Sequence, residues 1–139
     1  MVSEYKLTRR VQFHETDAAG IVHFSCFFKY MEEAEHAMWR SAGLSISSPR
    51  AEVGWPRVAA SFEYHKPLRF EDEFEAVIRV AAINEKTIRY SCVISKGELK
   101  IATGAMTIAC VRKGVEPLQS TPIPAEISSR FQIASGLTP

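Results

Sequence analysis

Only one long stretch of this chain repeats at helical spacing, and it lies near the beginning. Between Ser25 and Ala42 the apolar residues Phe27, Tyr30, Met31, Ala34, Ala37 and Met38 recur every three or four places, while Lys29, Glu32, Glu33, His36 and Arg40 fill the opposite side. Ser25 is placed to cap this helix and Gly43 to end it, giving about eighteen residues or roughly 27 Å. The rest alternates at period two or breaks into loop. Tyr5, Leu7, Val11 and Phe13 face Lys6, Thr8, Arg10 and Gln12 in a first strand whose pattern only Arg9 interrupts. Leu44–Arg57 carries prolines, a glycine and several serines, and reads as a loop with room for one helical turn. Strands are then predicted at Val58–Tyr64, Phe74–Ala82, Ile88–Ser95 and Leu99–Lys113. Asn84-Glu85-Lys86 and Lys96-Gly97-Glu98 separate the last three at hairpin distance. The final strand has Ile101, Ala105, Ala109 and Val111 on one face and Ala102, Met106, Ile108 and Cys110 on the other, which predicts a central strand covered on both sides. The proline-bearing tail from Val115 reads as irregular, with a helical turn within Ala125–Ile133.

One helix and five strands in this order predict an α+β fold, a single domain over residues 1–139 in which the helix packs on an antiparallel sheet. One helix cannot cover five strands. The uncovered face and edge therefore predict self-association, as a homodimer or homotetramer. Seventeen basic against sixteen acidic side chains give a formal charge of +1, which provides no field for nucleic acid or a membrane surface. Cys26, Cys92 and Cys110 are too far apart for a zinc site and odd in number for a disulfide framework. A reducing cytoplasm is the expected compartment, with neither a secretory signal nor a membrane span in the sequence.

Between the first strand and the helix stands HETDAAGIVHF, His14 to Phe24. A helix start presents unpaired N–H groups and the positive end of the helix dipole, so a developing oxyanion is stabilised there. Asp17 is close enough in sequence to stand beside a carbonyl held by those groups, an arrangement suited to attack on an ester or thioester. Taken alone, an Asp before a helix is more often a turn or capping residue.

The wider string QFHETDAAGIVHFSCFFKYMEEAEHAMWRSAGL resembles the opening of the hotdog-fold acyl-CoA thioesterases of the 4-hydroxybenzoyl-CoA thioesterase type. The matching positions are Glu15-Thr16-Asp17-Ala18-Ala19-Gly20-Ile21-Val22, His23-Phe24 and Phe27 to Glu32. A weaker likeness continues in FEYHKPLRFEDEFEAVIRV, Phe62 to Val80. The resemblance implies a hotdog fold, one long central helix wrapped by a five-stranded antiparallel sheet. It implies cleavage of an acyl-CoA to free acid and coenzyme A, with no metal and no cofactor beyond the coenzyme A of the substrate. Asp17 would be nucleophile or general base, the Phe24 N–H the oxyanion donor, and Gly20 the residue that lets the backbone turn toward the substrate. Many relatives read tyrosine-histidine-alanine-asparagine where this chain has His23-Phe24-Ser25-Cys26, so the histidine stands one place early, at a position that lines the site.

Other residues compete for substrate contact. His65, Lys66 and Arg69 beside Pro67 are placed to meet the phosphates of coenzyme A, as surface charge at a strand end also would be. Arg89, Lys100 and Arg112 are further basic options. Glu32, with Glu33 and His36 on the same helix side, could touch an acyl group or bind metal, though a solvated helix face is the ordinary reading. Cys26 reads as a small buried cysteine and Trp55, Phe62 and Tyr64 as core. The rival functions are a hotdog hydratase or dehydratase, and a non-catalytic module binding acyl-CoA or an aromatic ligand.

Overall fold

Tyr5, Leu7 and Arg9 share the inward face of the first strand, and the alternation that places them there stops at Arg10. In the computed structural model, which describes residues 1–136, this strand is β1 (Glu4–Arg10). It is followed by a 3-10 turn (Phe13–Glu15), α1 (Cys26–Ser41), β2 (Val53–Gly54), β3 (Arg57–Tyr64), β4 (Glu73–Ile83), β5 (Thr87–Lys96), β6 (Leu99–Ala109), β7 (Val111–Arg112) and α2 (Ala125–Ser128). Five strands form one antiparallel sheet in the order β1-β4-β5-β6-β3, and β2 pairs with β7 beside it.

The apolar stripe of α1 packs on the inner face of this sheet. Phe27, Tyr30, Met31, Ala34 and Met38 are buried against the inward residues Phe74, Ala76, Ile78 and Val80 of β4, Ile88, Tyr90, Cys92 and Ile94 of β5, and Met106 and Ile108 of β6. Burying each of the larger of these side chains contributes about 1.5–3 kcal/mol, which is why tertiary packing rather than propensity holds the helix. Ser25 occupies the N-cap position without a side-chain cap, and Gly43 follows the helix in the left-handed region. No helix among the described residues is long and apolar enough to cross a membrane.

Several expectations are corrected. The first strand ends three residues before Phe13, because Val11 bonds across to the turn before β4: its N–H reaches the Asp72 carbonyl at 2.9 Å. The strand expected over Leu99–Lys113 breaks at Cys110, whose N–H turns to the Lys86 carbonyl (2.8 Å), and the last residues pair with the Leu44–Arg57 loop instead. That loop holds β2 and a single turn closed by Ala51 N–H on the Ser48 carbonyl, with no helix. β5, not β6, is the middle strand, and the outward face of β6 (Thr103, Ala105, Thr107, Ala109) is only half-buried. Its alanines are small enough to alternate with threonines on a partly wet face, so an apolar count overstated the cover.

Candidate active site

Glu15 closes the 3-10 turn and is buried. Its carboxylate accepts hydrogen bonds from both terminal nitrogens of Arg9 (3.0 and 2.6 Å), the Gln12 N–H (2.7 Å) and the Tyr30 hydroxyl (3.0 Å). Burial pushes this carboxyl up, but those donors outweigh it and hold it below the usual carboxylate range. Arg9 also pairs with Glu33 of α1 at 2.9 Å and lies 5.0 Å from the Tyr30 ring centroid. Sheet and helix are thus joined through one carboxylate.

From this anchor the chain makes a small hairpin. Thr16 and Val22 pair, the Asp17 N–H bonds to the Ile21 carbonyl, the Gly20 N–H to the Asp17 carbonyl, and the His23 N–H returns to the Glu15 carbonyl. Gly20 takes φ +77°, a conformation that residues with a Cβ rarely adopt. The Asp17 carboxylate accepts the Ala19 N–H at 2.9 Å through Oδ1, while Oδ2 has no hydrogen-bond partner among the described residues. One oxygen is therefore held and the other available.

The opposite wall is the end of β3 and the segment after it. Val22 N–H bonds to the Leu68 carbonyl at 2.8 Å, drawing the hairpin and this segment together. Between them lies a cleft of about 600 Å³ lined by Asp17, Ile21, Val22, Phe24, Phe27, Tyr64, His65, Lys66, Pro67 and Arg69. The Phe24 N–H has no intramolecular acceptor among the described residues. Neither Lys66 nor Arg69 joins an ion pair among those residues. His65 Nε2 lies 3.1 Å from Thr103 Oγ1.

The structure thus brings together Asp17, Phe24, His65, Lys66 and Arg69, with Gly20 at the hairpin corner behind Asp17. It does not bring in His23 or Glu32. The His23 ring stacks on Phe24 (centroids 4.5 Å apart), and its Nδ1 meets the Ser25 N–H at 3.2 Å and the Ser25 hydroxyl at 2.7 Å. It serves the helix start in place of a side-chain cap. Glu32 pairs with Arg57 at 3.1 Å, beside the buried Glu35, and lies outside this cleft. Arg89 lines a separate groove with Ala59 and Thr107. Cys26 is buried, its thiol pushed up by burial and directed at the Glu15 carbonyl. Trp55 packs edge-on against the buried Trp39, as expected of core. Tyr64 corrects that reading: it is 46% exposed and lines the cleft. Its hydroxyl donates to the Phe24 carbonyl at 2.9 Å, a pairing across forty residues of sequence that leaves no local signal. The Arg9–Glu15 pair had one, the cation in an otherwise apolar row.

One long helix laid on a five-stranded antiparallel sheet is the architecture of the hotdog class, to which thioester-cleaving proteins belong. The chain belongs to the thioesterase-like superfamily, which it matches over residues 11–131. It is 38% identical over 108 residues to an Aquifex aeolicus protein described as a candidate esterase, covering 76% of this chain and 84% of that one. It is 26% identical over 137 residues to a 1,4-dihydroxy-2-naphthoyl-CoA hydrolase of Synechococcus elongatus, covering 96% and 99%. The solved structure of a gentisyl-coenzyme A thioesterase superimposes with a TM-score of 0.80 at 27% identity, covering 88% of this chain and 98% of that one.

Proposed function

We propose that this protein hydrolyses an acyl-CoA thioester to a carboxylic acid and free coenzyme A. The observation that carries this is one cleft lined by Asp17, Phe24, Lys66 and Arg69, in which an Asp17 carboxylate oxygen, the Phe24 N–H and both cations have no partner among the described residues. The thioester carbonyl oxygen accepts the Phe24 N–H, and negative charge gathers there as the carbon is attacked. One such donor is worth about 10² to 10³ in rate. Acting as base, Asp17 takes a proton from water as the water oxygen bonds to the carbonyl carbon; the C–S bond then breaks and the thiolate recovers the proton. Acting as nucleophile, Asp17 forms a mixed anhydride, expels the thiolate, and is freed by water. A single turnover in ¹⁸O water separates the routes, because only the anhydride route can leave label in Asp17.

Lys66 and Arg69 are placed for the coenzyme A phosphates, with His65 beside them. The apolar walls, Ile21, Val22, Phe24, Phe27 and Tyr64, suit an aromatic acyl group, and two relatives are named for aromatic acyl-CoAs. The reaction calls for no metal or redox cofactor. Thiol release from aromatic and aliphatic acyl-CoAs by wild type and Asp17→Asn tests the reading. Turnover on aromatic substrates that falls at least a hundredfold in a folded variant supports it. Ligand binding without turnover by the wild type would favour a binding module instead.

The same reading includes self-association. β3 is an edge strand of eight residues, exposed from Val58 to Ser61, with one side of its backbone unpaired by the sheet. A second copy pairing there would continue the sheet and hide that edge. The three cysteines are all free and buried, which supports a reducing, cytoplasmic compartment.

A further inference from the structure

Phe24 must be held still if its N–H is to act as an oxyanion donor, yet it lies before the first residue of α1 and outside the helical ladder. The Phe28 N–H, which in a longer helix would bond to the Phe24 carbonyl, bonds to Ser25 instead at 3.3 Å. The partner of the Phe24 carbonyl comes from across the cleft, where the Tyr64 hydroxyl donates to it at 2.9 Å. We propose that Tyr64 is a positioning residue for thioester cleavage, its hydroxyl fixing the Phe24 backbone so that the Phe24 N–H faces the substrate carbonyl. The proposal rests on the thioesterase reading and adds to it a residue that never touches the reacting atoms.

The two peptides that flank the Phe24 Cα are each tied at the carbonyl. The first, which carries the Phe24 N–H, is held because the His23 carbonyl accepts the Cys26 N–H at 2.9 Å. The second is held at its carbonyl by Tyr64, while its N–H, that of Ser25, reaches His23 Nδ1 at the longer distance of 3.2 Å. With both fixed, neither dihedral of Phe24 can turn freely, and a preorganised donor costs no reorganisation at the moment of reaction. Tyr64 is itself braced. Its ring meets Phe27 edge-on with centroids 5.1 Å apart, and lies within 28° of parallel to Phe62 at 6.2 Å. Burial of the hydroxyl pushes its pKa up, so it remains a donor at neutral pH. Because the residue is half exposed and its ring supplies its packing, the hydroxyl has little to do with the core.

Tyr64→Phe keeps the ring and removes only the donor. Its kcat for an aromatic acyl-CoA is expected to fall about tenfold, with KM within about twofold and the unfolding midpoint unchanged. Tyr64→Ala, which also removes the ring, should lose at least as much kcat and raise KM. Unchanged kcat in Tyr64→Phe, or a raised KM with kcat intact, would overturn the proposal, the latter by making the hydroxyl a substrate contact rather than a hold on Phe24. An independent readout is ¹⁵N relaxation of the Phe24 amide without substrate. Its order parameter should drop from the roughly 0.85 of rigid backbone in Tyr64→Phe, and no change would overturn the proposal even if kcat fell. A wild type inactive on every acyl-CoA would defeat the reading of the site, while the amide measurement would still judge Tyr64.

Discussion

Glu15 stands two residues before Asp17, and its partners come from β1, the 3-10 turn and α1. Removing its charge leaves Arg9 partly buried with Glu33 as its remaining partner. Glu15→Gln is therefore expected to cost about 2 kcal/mol at pH 7 by urea denaturation, short of the 3–5 kcal/mol of a fully buried pair, since Arg9 is partly solvated. The carboxyl is held below 4.5 in the folded state. Its share of stability is thus complete above the unfolded value near 4.5 and disappears as pH falls through the lower folded value. Wild type should lose stability on acidification below about pH 4.5 more steeply than the variant does. Glu35 behaves in the opposite sense. Burial raises its carboxyl even with Arg57 against it, so its contribution weakens as pH rises through that raised value. Glu35→Gln should cost less at pH 7 than Glu15→Gln, as Arg57 keeps Glu32.

Among the elements, the β3–β6 pair is where the site's aromatic wall is built. Phe62 lies directly opposite Gly104, and a Cβ on Gly104 would come within 2.7 Å of the Phe62 ring and 2.8 Å of the Ser61 carbonyl. A backbone oxygen cannot step aside as a side chain does. Gly104→Ala should cost about 1–3 kcal/mol in thermal or urea unfolding and displace Phe62, which packs against Phe27, Phe28 and Tyr64. Activity should fall with it even in a variant that remains folded. The elements themselves were largely legible in the sequence. The helix, bounded by Ser25 and Gly43, stood one residue from its observed ends because its apolar stripe repeats without interruption. β6 was misplaced because alternation shows which residues share a face, not what lies over that face. The break at Cys110 was invisible for a related reason: its cause is Lys86, on another strand connection.

For the whole molecule, the exposed edge at β3 makes the assembled state the quantity to measure. Sedimentation of the wild type at micromolar concentration should give at least twice the 15.6 kDa of the chain. Ala60→Lys, which puts a charge into the middle of that edge, should shift the population toward monomer while leaving the circular dichroism unchanged. A monomer at all concentrations in the wild type would remove the dimer from the reading. At this scale the sequence pointed to the Asp17 side of the cleft, where hairpin and helix start are local in the chain. The facing wall was only half legible: His65, Lys66 and Arg69 stood out as charge, whereas Tyr64 looked like interior.

The main-chain bond between Val22 and Leu68 joins those two walls without engaging a side chain of either. Mutation can therefore exchange the residues around it and leave the seam intact. One panel carries the Asp17 carboxylate and is tied down through Glu15 by Arg9 and Tyr30; the other carries Lys66, Arg69 and the Tyr64 ring. A lineage can accordingly drift in what it accepts along 65–69, with Tyr64 kept for its hold on Phe24, and a laboratory library confined to those five positions would search substrate range with the proposed chemistry held constant.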